Sequence, residues 1–415
     1  MAILKPFRAI RPVRELAEKI AAPPYDVVTY DEAKKIGKKN PYSFLHISRS
    51  EIDFEDGTDP YSYEIYEKAA KNLYKAEENG WFQRDGKPLL YVYRQEMDGR
   101  QQIGIIGCVS VDDYINGTIK RHELTRVEKE IDRINHFDIC RANTEPVFLT
   151  YRDNKQIDVL VNGYIATKSP EYNFKTSDGV RHEFYPIYDD NVISGLSGLF
   201  KHMKNLYIAD GHHRSASAAK VGQKYRKQWK TEGDCEFNYF MAAIIPGSQL
   251  KIYGYNRLVN SLKNMDSKTF LKKICDAGFI VGKIDGKDKE PEKIHEITMF
   301  IDETWYSLKL PPENIPKGLI ESLDVSILQE KVLAPILGIR NPREDSNLQF
   351  MGGIKGAEAL EEAVKGGEAQ VGFAMYPVSI NTLFAISDNE LTMPPKSTWF
   401  EPKLASGLFI HSLMD

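Results

Sequence analysis

The sequence predicts an α+β protein built from more than one domain, and three observations carry that expectation. Its 415 residues exceed what one ordinary hydrophobic core accommodates, so roughly two or three domains are expected. Residues 88–96 and 99–111 are rich in β-branched and aromatic side chains on either side of Met97-Asp98-Gly99, the pattern of paired strands around a turn. Leu206-Tyr207-Ile208-Ala209-Asp210 is a short apolar strand that passes through Gly211 directly into the helix-forming run His212-His213-Arg214-Ser215-Ala216-Ser217-Ala218-Ala219.

The remaining elements follow in order. Residues 13–20 read as a helix that breaks at Ala21-Ala22-Pro23-Pro24-Tyr25-Asp26, where Pro23 fixes its own φ and biases Ala22 toward an extended shape. Asp31-Glu32-Ala33 opens a second helix, ended near Asn40-Pro41. Asp59-Pro60 precedes an amphipathic helix to about residue 79, with Gly80 as its stop. A charged segment covers 119–137, and a strand follows at 146–151. Residues 157–166 and 180–189 mix β-branched and aromatic residues with polar ones and read as sheet elements. A helix over 194–204 leads into the strand at 206–210, and 238–246 is an almost wholly apolar strand, as a buried central position demands. From about 260 to 315, Lys-rich stretches and the polar run 283–293 mark a smaller α+β insertion. The expected organisation is an N-terminal α/β segment over 1–118, a core carrying the Asp210 motif over 119–258, the insertion over 259–315, and a C-terminal α/β segment over 316–415 that completes the site.

Composition narrows the function. Hydrophobic residues make up 42% and charged residues 27%, the balance of a folded chain. A net charge of −4 argues against a dedicated nucleic-acid binder, leaving only a local basic groove as an alternative. Cys108, Cys140, Cys235 and Cys275 are scattered without a C-x-x-C pair, which speaks against a zinc ribbon or a disulfide framework and for a reducing cytoplasm. No signal peptide or membrane-spanning run is visible. The expected partner is a small-molecule substrate, with neither membrane nor nucleic acid, and a homodimer is left open.

Three segments hold chemistry-bearing residues. Asp210 to Arg214 places an acid, two imidazoles and a guanidinium at the start of a helix, where free N–H groups and the positive end of the macrodipole favour an anion such as phosphate. Two adjacent histidines diverge, and no third ligand lies close in sequence, so a metal site is disfavoured; Ser215 and Ser217 lack a nucleophile elbow. Lys120-Arg121-His122-Glu123-Leu124-Thr125-Arg126 offers Glu123 as a base on a hydroxyl. The same segment also reads as a solvated helix laced with pairs such as Arg126–Glu130. The run at 393–403 sets two lysines and two hydroxyls between prolines, either a stiff loop closing on phosphate oxygens or a surface turn with an exposed Trp399-Phe400 pair. Met351-Gly352-Gly353-Ile354-Lys355-Gly356 precedes a helix over 357–364 but is not a Walker sequence.

Asp210-Gly211-His212-His213-Arg214-x-Ala216 resembles the G-x-H-R signature of the ParB/sulfiredoxin fold, and within it the D-G-H-x-R form of the free serine kinases. Nearly the whole chain, from Pro23-Pro24-Tyr25-Asp26 through His122-Glu123 to Pro395-Lys396-Ser397-Thr398-Trp399, resembles the bacterial family called domain of unknown function 1015. The resemblance implies a ParB/sulfiredoxin-like core with additional α/β segments and a kinase-like phosphotransferase acting on a small hydroxylated metabolite, free L-serine or O-phosphoserine first. It implies that Gly211, His212, Arg214 and Ser215, with Lys396, Ser397 and Thr398, hold the phosphates of a donor that is ATP, ADP or pyrophosphate. Asp210, His213 and Glu123 are the implied catalytic groups, with Asp210 orienting the hydroxyl or holding Mg²⁺. Tyr25, Asp26, His122 and Arg133 are the implied substrate contacts. His212 stands at sulfiredoxin's cysteine position, which excludes sulfinic-acid reduction. Two other readings stay open: a non-catalytic ParB-like nucleotide-binding switch, and a phosphomonoester hydrolase.

Overall fold

The hairpin expected at 88–111 forms, with strands Leu90–Met97 and Arg100–Ser110 antiparallel from Tyr91–Ile106 to Met97–Arg100. Asp98 and Gly99 take the positive φ that the tight turn needs. The structure is a computed structural model that describes residues 1–230, 234–286 and 288–414; Lys287, inside the polar run at 283–293, lies outside the described residues. The chain is α+β and divides into two units, one of residues 1–121, 125–250 and 402–415, the other of 122–124 and 251–401.

The first unit is built on a nine-stranded sheet among the described residues. Its order is Ile119–Lys120, Leu206–Asp210, Val147–Tyr151, Tyr239–Pro246, Arg100–Ser110, Leu90–Met97, Arg181–Ile187 and Tyr172–Lys175, with Leu4–Lys5 joining Arg100–Ser110 off this path. Tyr239–Pro246 holds the central position its apolar run predicts: Met241, Ala242, Ala243 and Ile244 have no exposed surface. It runs parallel to Val147–Tyr151, and Ile119–Lys120 runs parallel to the Asp210 strand; the other pairings in this sheet are antiparallel.

Residues 157–166 overturn their reading as a sheet element, because Lys155–Ala166 is a helix. Its β-branched content misleads, whereas its buried residues Ile157, Val161 and Tyr164 fall at i, i+4 and i+7, the helical period. Asn154 caps it by accepting from the Gln156 N–H at 2.9 Å. A small sheet orders Phe82–Arg84, Ala9–Pro12, Ile410–Ser412 and Ala142–Asn143, so the segment after residue 402 pairs with strands from the beginning and middle of the chain.

The second unit holds a six-stranded antiparallel sheet among the described residues, ordered Ile280–Lys283, Thr304–Lys309, Glu296–Ile301, Val371–Met375, Tyr255–Val259 and Leu348–Gly352. The amphipathic helix Gly356–Lys365 turns Ala357, Leu360 and Ala363 onto Leu258, Phe300 and Trp305. Gly254 is pressed against backbone: its carbonyl accepts from the Gly353 N–H at 2.8 Å, and a Cβ on it would lie 1.9 Å from the Met375 carbonyl oxygen. The Trp399-Phe400 pair is not an exposed turn. Trp399–Glu401 is a strand paired with Lys251–Tyr253, Phe400 is buried, and Gly352 lies against the Trp399 ring. No helix of the described residues is long and apolar enough to cross a membrane.

Candidate functional site

The Asp210 motif takes its shape from three local features. Leu206–Asp210 pairs antiparallel with Val147–Tyr151, and the register slips between Ile208 and Asp210, a bulge that re-aims the strand end. Gly211 follows at φ +91°, left-handed backbone that a side chain rarely adopts. The helix His212–Trp229 then starts with no side-chain cap and no acidic residue in its first turn, which leaves its N-terminal dipole unneutralised by its own side chains. Ser215, Ala216, Ser217, Ala218 and Ala219 are buried, and the small face permits close packing on the helix Val127–Cys140, where the Ser217 hydroxyl donates to the Glu130 carbonyl at 3.0 Å.

Asp210 carries a donor on each carboxylate oxygen. Its own neighbour's amide, Gly211 N–H, donates to Oδ1 at 2.8 Å, and Lys403 Nζ donates to Oδ2 at 3.0 Å. Burial alone would raise the carboxyl pKa, but the Lys403 and Arg214 charges outweigh it and hold the group well below the usual carboxylate range. A depressed carboxylate contributes stability that is present above its unfolded value near 3.8 and lost as the pH falls through the folded value. Lys403→Met should therefore shift the acid limb of the unfolding midpoint to higher pH. Urea melts between pH 2 and pH 7 check this; coincident acid limbs for the variant and the parent protein would remove Lys403 from the account.

Behind this turn lies a buried charged cluster. The Arg214 guanidinium donates to the Pro146 carbonyl and is 4% exposed. Burial opposes its charge, but Asp26, Glu145 and Asp210 more than compensate and its pKa is raised. Glu145 Oε1 accepts from the Tyr25 N–H at 3.3 Å and from the Ser406 hydroxyl. Burial pushes the Glu145 carboxyl up, against the pull of Arg214, Ser406 and Arg133. Arg133 is held by Asp132 at 2.9 Å and stacks its guanidinium 4.0 Å from the Tyr25 ring centre. The Tyr66 hydroxyl anchors Asp132 from the far side at 3.0 Å. Burial and then Asp26 raise the Tyr25 phenol, so it stays protonated.

Of the residues singled out from sequence, Tyr25, Asp26, Arg133, Asp210, Gly211, His212, His213, Arg214 and Ser215 all belong to the first unit. The electrostatic couplings tie Tyr25, Asp26, Arg133, Asp210 and Arg214 together. His213 Nε2 accepts from the Arg126 N–H at 3.0 Å, which assigns the ring proton to Nδ1 when the imidazole is neutral. The Ser215 hydroxyl donates back to the Gly211 carbonyl at 3.1 Å, a contact within the helix start. His122, Glu123, Lys396, Ser397 and Thr398 belong to the second unit, where the His122 carbonyl accepts from the Met393 N–H at 2.8 Å and the Ser397 hydroxyl donates to the Pro394 carbonyl at 2.6 Å.

Sequence reasoning missed Glu145 and Ser406, and it did not single out Lys403 of the 393–403 run, whose ammonium pairs with Asp210. Alternation of charge with proline in that run gave no reason to separate its two lysines. Asp210 does not fit a Mg²⁺ ligand: both oxygens hold donors, and a dication there would sit beside the Lys403 ammonium and be repelled. Among the described residues no group of three or more His, Cys, Asp or Glu side chains is placed to hold a metal.

A family model described as a protein of unknown function, DUF1015, matches residues 4–326, and the chain belongs to that family. A comparison with curated proteins gives no match. Similar solved structures include a conserved hypothetical protein from Pyrococcus furiosus, 14% identical over 73% of this chain and 95% of that one, at a TM-score of 0.36. C-terminally truncated SbnI from Staphylococcus aureus is 12% identical over 74% and 87%, at 0.40. A free serine kinase in complex with AMP is 11% identical over 75% and 91%, at 0.37. Likeness at this level carries no argument about chemistry, which rests on the chain's own residues.

Proposed function

We propose that this member of the DUF1015 family is a phosphotransferase that moves a phosphoryl group between a nucleotide or pyrophosphate and a small hydroxylated metabolite, with free L-serine as the specific candidate. The single observation that supports it most is the turn Asp210–Arg214. It combines a left-handed Gly211, an uncapped eighteen-residue helix start and a buried guanidinium. Phosphoryl transfer asks for charge stabilisation and in-line positioning more than for covalent help; the helix amides supply the first to the donor, and the guanidinium beside them supplies the second by holding the acceptor. In this reading the donor's phosphate oxygens lie on the amides that open the His212 helix. Asp210, held ionised, is a poor proton acceptor and instead orients the attacking hydroxyl by accepting its hydrogen bond. The hydroxyl proton passes to solvent as the bond between the transferred phosphorus and the donor's bridging oxygen breaks and the shortened donor leaves.

Purified protein given L-serine and, in turn, ATP, ADP or pyrophosphate as its magnesium salt should form phosphoserine with at least one donor, read by mass spectrometry. Phosphate released equally without serine would make the protein a hydrolase. Nucleotide bound with no turnover would make it a binding switch. Either outcome overturns the transferase reading.

A further inference from the structure

Three charged side chains of the first unit each keep one polar atom with no hydrogen-bond partner among the described residues: Arg133 Nη1, Arg214 Nε and Glu145 Oε2. All three residues are more than nine-tenths buried, at 4%, 4% and 1% exposure. An unpaired charged donor or acceptor away from water is costly, and three in one cluster is far from the ordinary satisfied interior. They are neighbours by construction. Arg133 stacks on Tyr25, the Tyr25 amide donates to Glu145 Oε1, and Arg214 donates to the carbonyl of Pro146, the residue after Glu145.

Each side chain is also pinned through its other atoms: Arg133 by Asp132, Glu145 by Ser406 and the Tyr25 amide, and Arg214 by Pro146. Each charged group is thus fixed in place through its other atoms, the rigidity that a binding site requires. Their chemistry is two cationic N–H donors and one carboxylate acceptor. The complementary ligand presents an anionic oxygen acceptor and, close to it, a cationic N–H donor. The smallest group that does both is the ammonium–carboxylate end of an α-amino acid.

We infer that Arg133, Arg214 and Glu145 form an acceptor subsite that recognises a zwitterion, the guanidinium groups taking the carboxylate and Glu145 taking the ammonium. The inference rests on the transferase reading for the hydroxyl's fate but not for binding itself. Glu145 is then the specificity determinant: an alcohol lacking the ammonium leaves its carboxylate unpaired, and that penalty discriminates more strongly than a missing apolar contact.

L-Alanine is the probe, because it carries the zwitterion and no hydroxyl and so binds without reacting. Calorimetry should show L-alanine binding to the full-length protein, with propionate and ethanolamine, each lacking one charge, weaker by about tenfold or more. Glu145→Gln, which keeps the shape and removes the charge, should weaken L-alanine by about tenfold or more. Arg133→Lys, which keeps the charge and loses the planar fork, is the second variant, and near-UV dichroism confirms that both are folded. Absence of L-alanine binding by the folded parent protein overturns the inference, as does propionate binding as tightly as alanine, or unchanged affinity in folded Glu145→Gln. These failures are separable from failure of the transferase reading. L-Alanine binding without transfer from any donor keeps the subsite and removes the transferase. Transfer to glycerol with no preference for amino acids does the reverse.

Discussion

Arg214→Ala is expected to destabilise the first unit by about 3–5 kcal/mol, the cost of removing one partner from a buried charge cluster. The side chain is 4% exposed and its charge faces Asp26, Glu145 and Asp210, while its Nη1 is the donor to the Pro146 carbonyl. Alanine leaves that carbonyl without the donor and leaves three carboxylates without their shared cation. Denaturant titration of both proteins at neutral pH reads the difference. A change below about 1 kcal/mol would mean that the cluster relaxes or takes in water at little cost, and that the guanidinium matters only to a bound anion. Because stability and ligand binding are both at stake, loss of activity in this variant says little by itself. Arg214→Lys, assayed where it remains folded, separates the two: it keeps a cation among the acids and loses the planar fork.

Gly254→Ala should be as damaging in the second unit, by about 3 kcal/mol or more, at the upper end of overpacking costs. The added methyl would stand 1.9 Å from the Met375 carbonyl oxygen and 2.9 Å from its carbon, both backbone atoms. Backbone cannot swing aside as a long side chain does. The neighbouring contacts, Gly353 N–H to the Gly254 carbonyl and Met375 N–H to Asn256 Oδ1 at 3.0 Å, would have to open with it. A thermal midpoint equal to that of the parent protein would show that the two segments can part freely.

Local signals in the sequence were sufficient where the structure is local. The hairpin at 90–110, the apolar central strand and the strand–glycine–helix step at 206–212 each announce themselves through neighbouring residues. The helix Lys155–Ala166 resembles a strand by side-chain type, but its buried positions repeat at helical spacing, and the period decides. Glu145 and Ser406 were illegible for a different reason. Their meaning lies in pairing across 261 residues, and nothing beside either one marks a buried carboxylate or its donor. Lys403 is legible only as one of two lysines in a proline-rich run, and its pairing with Asp210 is a matter of tertiary placement. Gly254 carries no turn signature at all, since its requirement comes from a strand more than a hundred residues away.

The segment beginning at Pro402 has a consequence for how the molecule is made. Asp210 and its lysine are separated by 193 residues, so the ribosome delivers the carboxylate long before its counter-ion. At about 5–20 residues per second, that interval is roughly 10–40 s. Throughout it, the strand Ala9–Pro12, paired on one side with Phe82–Arg84, lacks its other partner Ile410–Ser412, and Glu145 lacks the Ser406 hydroxyl. The sheet that bears the motif is thus nearly complete in the nascent chain, while the motif's ion pair is among the last contacts to close. A long-range closure of this kind is slow by its topology, which places the unfinished state, with its acids unpaired and an edge open, within reach of chaperones during synthesis.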